Sequence, residues 1–305
     1  MLAVLQAFTV IIVVIVVGAI VGWRGVLGDN AKTVLNRTAF HIGVPALLLI
    51  SLADAQLDQV FSEALLVSAI GAVVVYAAYF GIATATRRPR GDATVGAMLA
   101  SVVNAGNLGI PISAYVLGST AEVSALILFQ TVVLVPISLG LLDSAAGQRV
   151  SMTRRLGALL GNPIIAASAI GLALAMTDID IPQALHDPLE LLAALAVPTV
   201  LLAFGISLTS RGSEAGTTDR GLLIVAVLFK LVVMPALVYG LARFCFGADQ
   251  HELLVVTVLA ALPSAQNINT YAGLYQRGEK LARDGTLIST LLSVPVILVV
   301  VLLTG

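Results

Sequence analysis

Residues Ala100 to Val116, ASVVNAGNLGIPISAYV, resist forming one uninterrupted helix, yet they lie in the middle of a long apolar run. Asn104, Gly106, Asn107, Gly109 and Pro111 crowd into it. Proline has no N–H for the helix ladder and its ring clashes with the preceding turn, and glycine weakens a helix further. A second interruption, Ala260 to Tyr271 (AALPSAQNINTY), places Pro263, Ser264, Gln266, Asn267 and Asn269 in another apolar run. At membrane depth the backbone leaves a helix only where protein or a water-filled cavity satisfies its polar groups. Two such breaks at corresponding places in two halves of a chain point to a site that handles a solute inside the bilayer.

The surroundings of the breaks support a membrane setting. Of 305 residues, 59% are hydrophobic and 11% charged, whereas a soluble domain carries about 25% charged residues. Lipid must therefore cover much of the chain. The apolar run at the N-terminus is about 20 residues long, the length of a spanning helix, and its basic residue, Arg24, follows the run rather than preceding it. It reads as a first crossing and not as a cleaved signal. Cys245 is the one cysteine and reads as a small apolar filler.

Ten apolar segments are expected, at roughly 2–21, 38–53, 61–85, 93–117, 122–142, 155–176, 189–208, 220–244, 252–275 and 284–303. All of the 16 basic residues except Lys230 and Arg243 fall after odd-numbered segments, in clusters such as Arg87, Arg88 and Arg90, or Arg149, Arg154 and Arg155. Asp54, Asp58, Glu63, Glu122, Asp178, Asp180, Asp187, Glu190, Asp249 and Glu252 fall on the other side. Basic loops stay in the cytoplasm, so both termini are expected outside, with the protein multi-pass in the cell inner (plasma) membrane. The expected fold is an all-α polytopic membrane protein of ten transmembrane helices. Five helices per half make any repeat an inverted one, over 1–148 and 149–305. Val44-Pro45 in segment 2 matches Val197-Pro198 in segment 7, and Asn104 to Asn107 lies over Ser264 to Asn267.

Several of these residues resemble the auxin efflux carrier family and its bacterial relatives, over nearly the whole chain. Gly22-Trp23-Arg24-Gly25 with Leu35-Asn36 is similar to the family's first cytoplasmic loop, and Val44 to Leu47 to its second helix. NAGNLGIP (Asn104 to Pro111) and LPSAQNIN (Leu262 to Asn269) resemble its signatures in helices 4 and 9. The resemblance implies a fold like that of the sodium/bile-acid symporters, with broken helices 4 and 9 crossing at the midplane. It also implies transport of small organic anions such as malate, malonate or auxin-like acids. The long cytoplasmic loop of the plant carriers is missing here, and the short form fits the bacterial malate and malonate carriers.

The chemistry of the interruptions suits an anion. The second half of segment 4 is expected to start near Ile110-Pro111, where proline fits a first helical turn. The second half of segment 9 is expected to start between Asn267 and Thr270, with an Asn or Ser side chain able to cap it. A helix N-terminus attracts negative charge, and Asn104, Asn107, Gln266, Asn267 and Asn269 add neutral donors. The candidate substrate site is therefore Asn104, Gly106, Asn107, Gly109, Pro111, Pro263, Ser264, Gln266, Asn267 and Asn269. Taken singly, any of these amides could merely satisfy freed backbone.

Lys230 is the one base inside a span. Too deep to reach the interface easily, it needs a partner in the protein interior, either the substrate or helix-end carbonyls that it would tether. No carboxylate falls in the middle of a segment, which argues against a sodium/proton antiporter built on buried aspartates. Sodium coupling through carbonyls and amides stays open, with Gln130 a candidate ion or polar site; uniport or proton-linked movement are the other modes. Pro45, Pro136, Pro198, Pro235 and Pro295 read as kink prolines. The absence of HExxH, GxSxG, Walker and GxGxxG motifs argues against an intramembrane enzyme. No cofactor or metal is expected. The partners expected are a small organic anion and the lipid bilayer, with no nucleic acid and a homodimer left open. A sodium-coupled symporter of the same fold and a non-transporting membrane sensor are the competing readings.

Overall fold

A computed structural model describes residues 2–54, 62–147, 157, 161–177, 179–209 and 219–304. Asp58, Arg149, Arg154, Arg155, Asp178 and Arg211, all used above for orientation, lie outside the described residues, as does the junction expected between the halves. In chain order the helices are α1 (Leu2–Arg24), α2 (Ala31–Ala53), α3 (Glu63–Ala85), α4 (Arg90–Ser101), α5 (Ala105–Leu117), α6 (Ala121–Ala145) and α7 (Pro163–Thr177). They continue with α8 (Gln183–Ala193), α9 (Ala196–Thr209), α10 (Arg220–Phe246), α11 (Gln250–Ala261), α12 (Asn267–Tyr275) and α13 (Glu279–Thr304). Among the described residues the structure is all-helical, with a single isolated extended bridge. Among the described residues six stretches are long and apolar enough to cross a membrane: α2, α3, α6, Gln183–Ser207 spanning α8 and α9, α10 and α13.

Four helices share a device that follows from proline chemistry. Wide π-turns at Ala39–Gly43, Ala105–Gly109, Gln130–Leu134 and Phe229–Val233 each end two residues before a proline, namely Pro45, Pro111, Pro136 and Pro235. In three of them the residue before the proline donates to the carbonyl five back: Val44 to Ala39, Val135 to Gln130 and Met234 to Phe229. The missing N–H and the bulk of the ring both disturb the ordinary four-residue ladder, and the wider turn absorbs the misfit without ending the helix. Pro198 lies instead just after the turn that separates α8 from α9. Pro295 sits within α13 with no wide turn.

The chain forms two compact units. Unit 1 comprises Met1–Phe61, Gly106–Leu128 and Leu156–Glu214, and unit 2 comprises Ser62–Ala105, Phe129–Arg155 and Ala215–Gly305. In unit 1, α1 lies on α9 with backbones in contact. A Cβ on Gly18 would lie 2.5 Å from the Leu202 carbonyl oxygen, and one on Gly205 would lie 2.1 Å from that of Ile15. Gly171 of α7 approaches α2 in the same way, its would-be Cβ 2.5 Å from the Leu49 oxygen. Water drives nothing together in lipid, so close approach at small residues supplies the packing. Ser51 and Thr120 join their hydroxyls across this unit at 2.8 Å.

Unit 2 packs α4 at its centre, every residue from Gly91 to Ser101 except Asp92 being buried, against α3, α10 and α13 among others. The Tyr79 ring fills the space over Gly96, and its hydroxyl donates to the Leu222 carbonyl at 3.1 Å. Leu99 fills the space over Gly285. At one end of this unit Arg88 pairs with Asp219, which also caps α10, and the Tyr275 hydroxyl donates to buried Asp143 at 2.6 Å.

Candidate functional site

The two interruptions pair with each other inside unit 2. Val103 and Ser264 form an antiparallel bridge in which Asn104 N–H donates to the Pro263 carbonyl at 2.8 Å and Ala265 N–H to the Val102 carbonyl at 3.0 Å. The four residues Val102, Val103, Pro263 and Ser264 are buried. Proline explains the register: Pro263 has no N–H to offer, and it enters the pairing through its carbonyl alone.

Several further polar groups given up by the broken helices find side-chain partners, as burial in lipid demands. Val103 N–H donates to Gln130 Oε1 at 2.7 Å. The Leu99 carbonyl, near the end of α4, accepts from the Ser264 hydroxyl at 2.6 Å. Ser264 N–H donates to the Ser289 hydroxyl at 3.2 Å, and Ser289 in turn donates to the Thr286 carbonyl at 3.1 Å. The Ala260 carbonyl, at the end of α11, accepts from Lys230 Nζ at 2.9 Å. Lys230 is wholly buried, donates also to Met234 Sδ at 3.0 Å, and forms no ion pair among the described residues. Gln130 is likewise buried, its oxygen directed to the break's backbone.

The remaining residues expected at the site divide by place. Asn104 is buried in the crossover. Gly106, Asn107, Gly109 and Pro111 belong to unit 1, where they form the first turns of α5. That corrects the expected start near Ile110-Pro111: helical winding resumes at Ala105, because the wide turn tolerates Pro111 well inside the helix. In the second interruption α12 starts at Asn267, within the expected range, but no side chain caps it; Gln266 holds the capping position. Asn267 is exposed, with one long contact of 3.5 Å from its amide nitrogen to the Tyr271 hydroxyl. Asn269 is half-buried and faces inward, its amide donating to the Gln266 carbonyl at 3.2 Å and to the Thr286 hydroxyl at 3.0 Å.

Sequence reasoning missed the contribution of α13. Thr286, Ser289, Thr290 and Ser293 are all buried on one face of that helix. Their spacing is that of a helical stripe, and hydroxyls at helical period in an apolar run were the available signal. Ser264 is the joint between this stripe and α4. Ser264→Ala is expected to leave the Leu99 carbonyl buried without its partner and to cost about 1–3 kcal/mol. A thermal melt followed by circular dichroism in detergent checks this as a lowered melting temperature.

Apolar helices long enough to cross a membrane and two interrupted helices joined at a buried polar pairing define the class as an integral membrane protein, and the family adds transport. Residues 3–301 match the family model described as "Membrane transport protein", and the chain belongs to that family, the auxin efflux carriers and their relatives. It is similar to a protein of Rhizobium meliloti (strain 1021) named "Putative malonate transporter", with 26% identity over 85% of this chain and 83% of the relative. It is also similar to "Uncharacterized transporter YfdV" of Escherichia coli (strain K12), with 24% identity over 84% of this chain and 83% of that one. An "Uncharacterized transporter" of Methanothermobacter thermautotrophicus is 27% identical over 84% of this chain and 83% of its own length.

Proposed function

We propose that the protein is a secondary carrier of small organic anions, carboxylates such as malate, malonate or auxin-like acids, working by alternating access. The observation that carries this reading is the crossover: two interrupted helices pair through their backbones and leave Asn267 exposed at the start of α12. A helix N-terminus with an amide donor at its first turn binds a carboxylate without a fixed positive charge. Release is then as easy as capture, which a carrier requires. The name of the Rhizobium relative fits a dicarboxylate among the substrates.

The topology proposed is ten crossings in the inner membrane, as inverted repeats 1–148 and 149–305 with both termini outside. Its support within unit 2 is that Arg88 meets Asp219 and Tyr275 meets Asp143, joining chain stretches that the basic-loop rule puts on one side. Gln250 donates to the Thr304 carbonyl at 2.9 Å, joining two stretches that the same rule puts on the other side. The test is flux. Purified protein in liposomes is expected to exchange labelled malonate or malate in a saturable way, with unlabelled mono- and dicarboxylates competing. Absence of carboxylate exchange and of competition across the panel would reject the reading.

A further inference from the structure

We infer that Lys230 is a built-in cation: its ammonium occupies, permanently, the carbonyl end of α11 where an ion-coupled carrier would bind a sodium ion. This rests on the membrane-transport function of the family and goes beyond it, to the way the carrier is energised. The last carbonyls of a helix have no partner within it and carry the negative end of its dipole. In carriers with interrupted helices those half-helix ends are where coupling ions are coordinated. Here Ala260 is the last residue but one of α11, and its carbonyl is taken by Lys230 Nζ at 2.9 Å.

The second contact of the ammonium identifies the kind of cation the place accepts. Met234 Sδ stands 3.0 Å from Nζ. A thioether is a soft ligand, poor for a hard ion such as sodium, which prefers oxygen. An N–H donor accepts it readily, since methionine sulfur is a weak hydrogen-bond acceptor. The sequence builds this locally: Lys230 lies in the wide turn Phe229–Val233 ahead of Pro235, and Met234 follows at the spacing that puts it on the same face. Among the described residues no carboxylate is paired with Lys230, and the side chain is wholly buried. The ammonium therefore meets a helix-end carbonyl, not an acid that would be free to take up a proton or an ion instead.

The inference is tested on the full-length protein by thermal melting, a readout that needs no substrate and so fails or succeeds independently of the carboxylate assignment. Wild type is expected to melt at the same temperature in sodium chloride and in choline chloride of equal ionic strength. Lys230→Ala is expected to melt several degrees lower and to recover at least half of that loss in propylammonium, which restores the missing stem and donors. Sodium should restore less, and choline, which has no N–H, nothing. Lys230→Met keeps the stem without the donor and should show the loss without the rescue. The inference is overturned if sodium stabilises wild type over choline, if Lys230→Met melts with wild type, or if no primary amine recovers Lys230→Ala. Should neither variant fold, the wild-type comparison decides.

Discussion

Asn267→Leu is expected to abolish carboxylate binding while leaving the melting temperature close to that of wild type. Asn267 is exposed at the start of α12, and its side chain makes one marginal contact, so the fold loses little when the amide goes. Leucine is also a better helix former than asparagine. What disappears is a donor to a charged acceptor, worth about 1.5–3 kcal/mol, which is roughly tenfold to more than a hundredfold in Kd. Steric bulk at the helix N-terminus adds to that loss. Isothermal titration with malonate and malate checks it, and unchanged affinity would remove Asn267 from the site. Asn104 is a different case. It is 4% exposed within the crossover, so Asn104→Leu should lower stability along with any effect on binding.

The largest effect on folding is expected from Gly205→Leu. The first atom of a side chain there would fall 2.1 Å from the Ile15 oxygen, 2.8 Å from the Ala19 nitrogen and 2.9 Å from the Gly18 Cα. All three are backbone atoms, so no rotamer change can make room. Overpacking that a core can absorb costs about 1–3 kcal/mol; forcing α1 off α9 should exceed it. Size-exclusion chromatography is expected to show aggregate in place of a monodisperse peak. Gly240→Ala, where a Cβ meets nothing within 4 Å, is the matched control and should elute as wild type. Equal behaviour of the two variants would mean that α1 and α9 do not touch as described.

Much of the architecture is legible in the chain because membranes permit few solutions. Apolar length fixes where helices run, and the apolar segments fall largely on helices where the structure describes them; besides the two interruptions, the segment expected at 189–208 is divided by the turn at Ala194-Leu195, and in the segment expected at 155–176 α7 starts at Pro163. The interruptions themselves were legible too, since amides, glycines and prolines in a lipid-embedded run have no other explanation. Motif resemblance then supplied the family, through NAGNLGIP and LPSAQNIN. A proline inside a helix was ambiguous from sequence alone: Pro111 looked like a helix start, whereas Pro45, Pro136 and Pro235 looked like kinks. The structure treats all four alike, with a wide turn ahead of each.

Sequence by itself determined that this chain is a helical membrane transport protein with two broken helices, and which polar residues those breaks contain. Only the tertiary structure decided which backbone groups several of these polar residues meet. Ser264, Gln130 and Lys230 serve backbone groups at the crossover, whereas Asn267 remains exposed. The reason is physical. A broken helix frees a fixed set of N–H and carbonyl groups, and lipid obliges each to find a partner. Which side chain answers depends on the helices that converge there, from α4 and α6 to α10, α11 and α13, and residues like Ser289 come from far along the chain. The contacts of the polar groups at the breaks are therefore set by three-dimensional placement, whereas hydropathy already marks where the chain is helical and apolar.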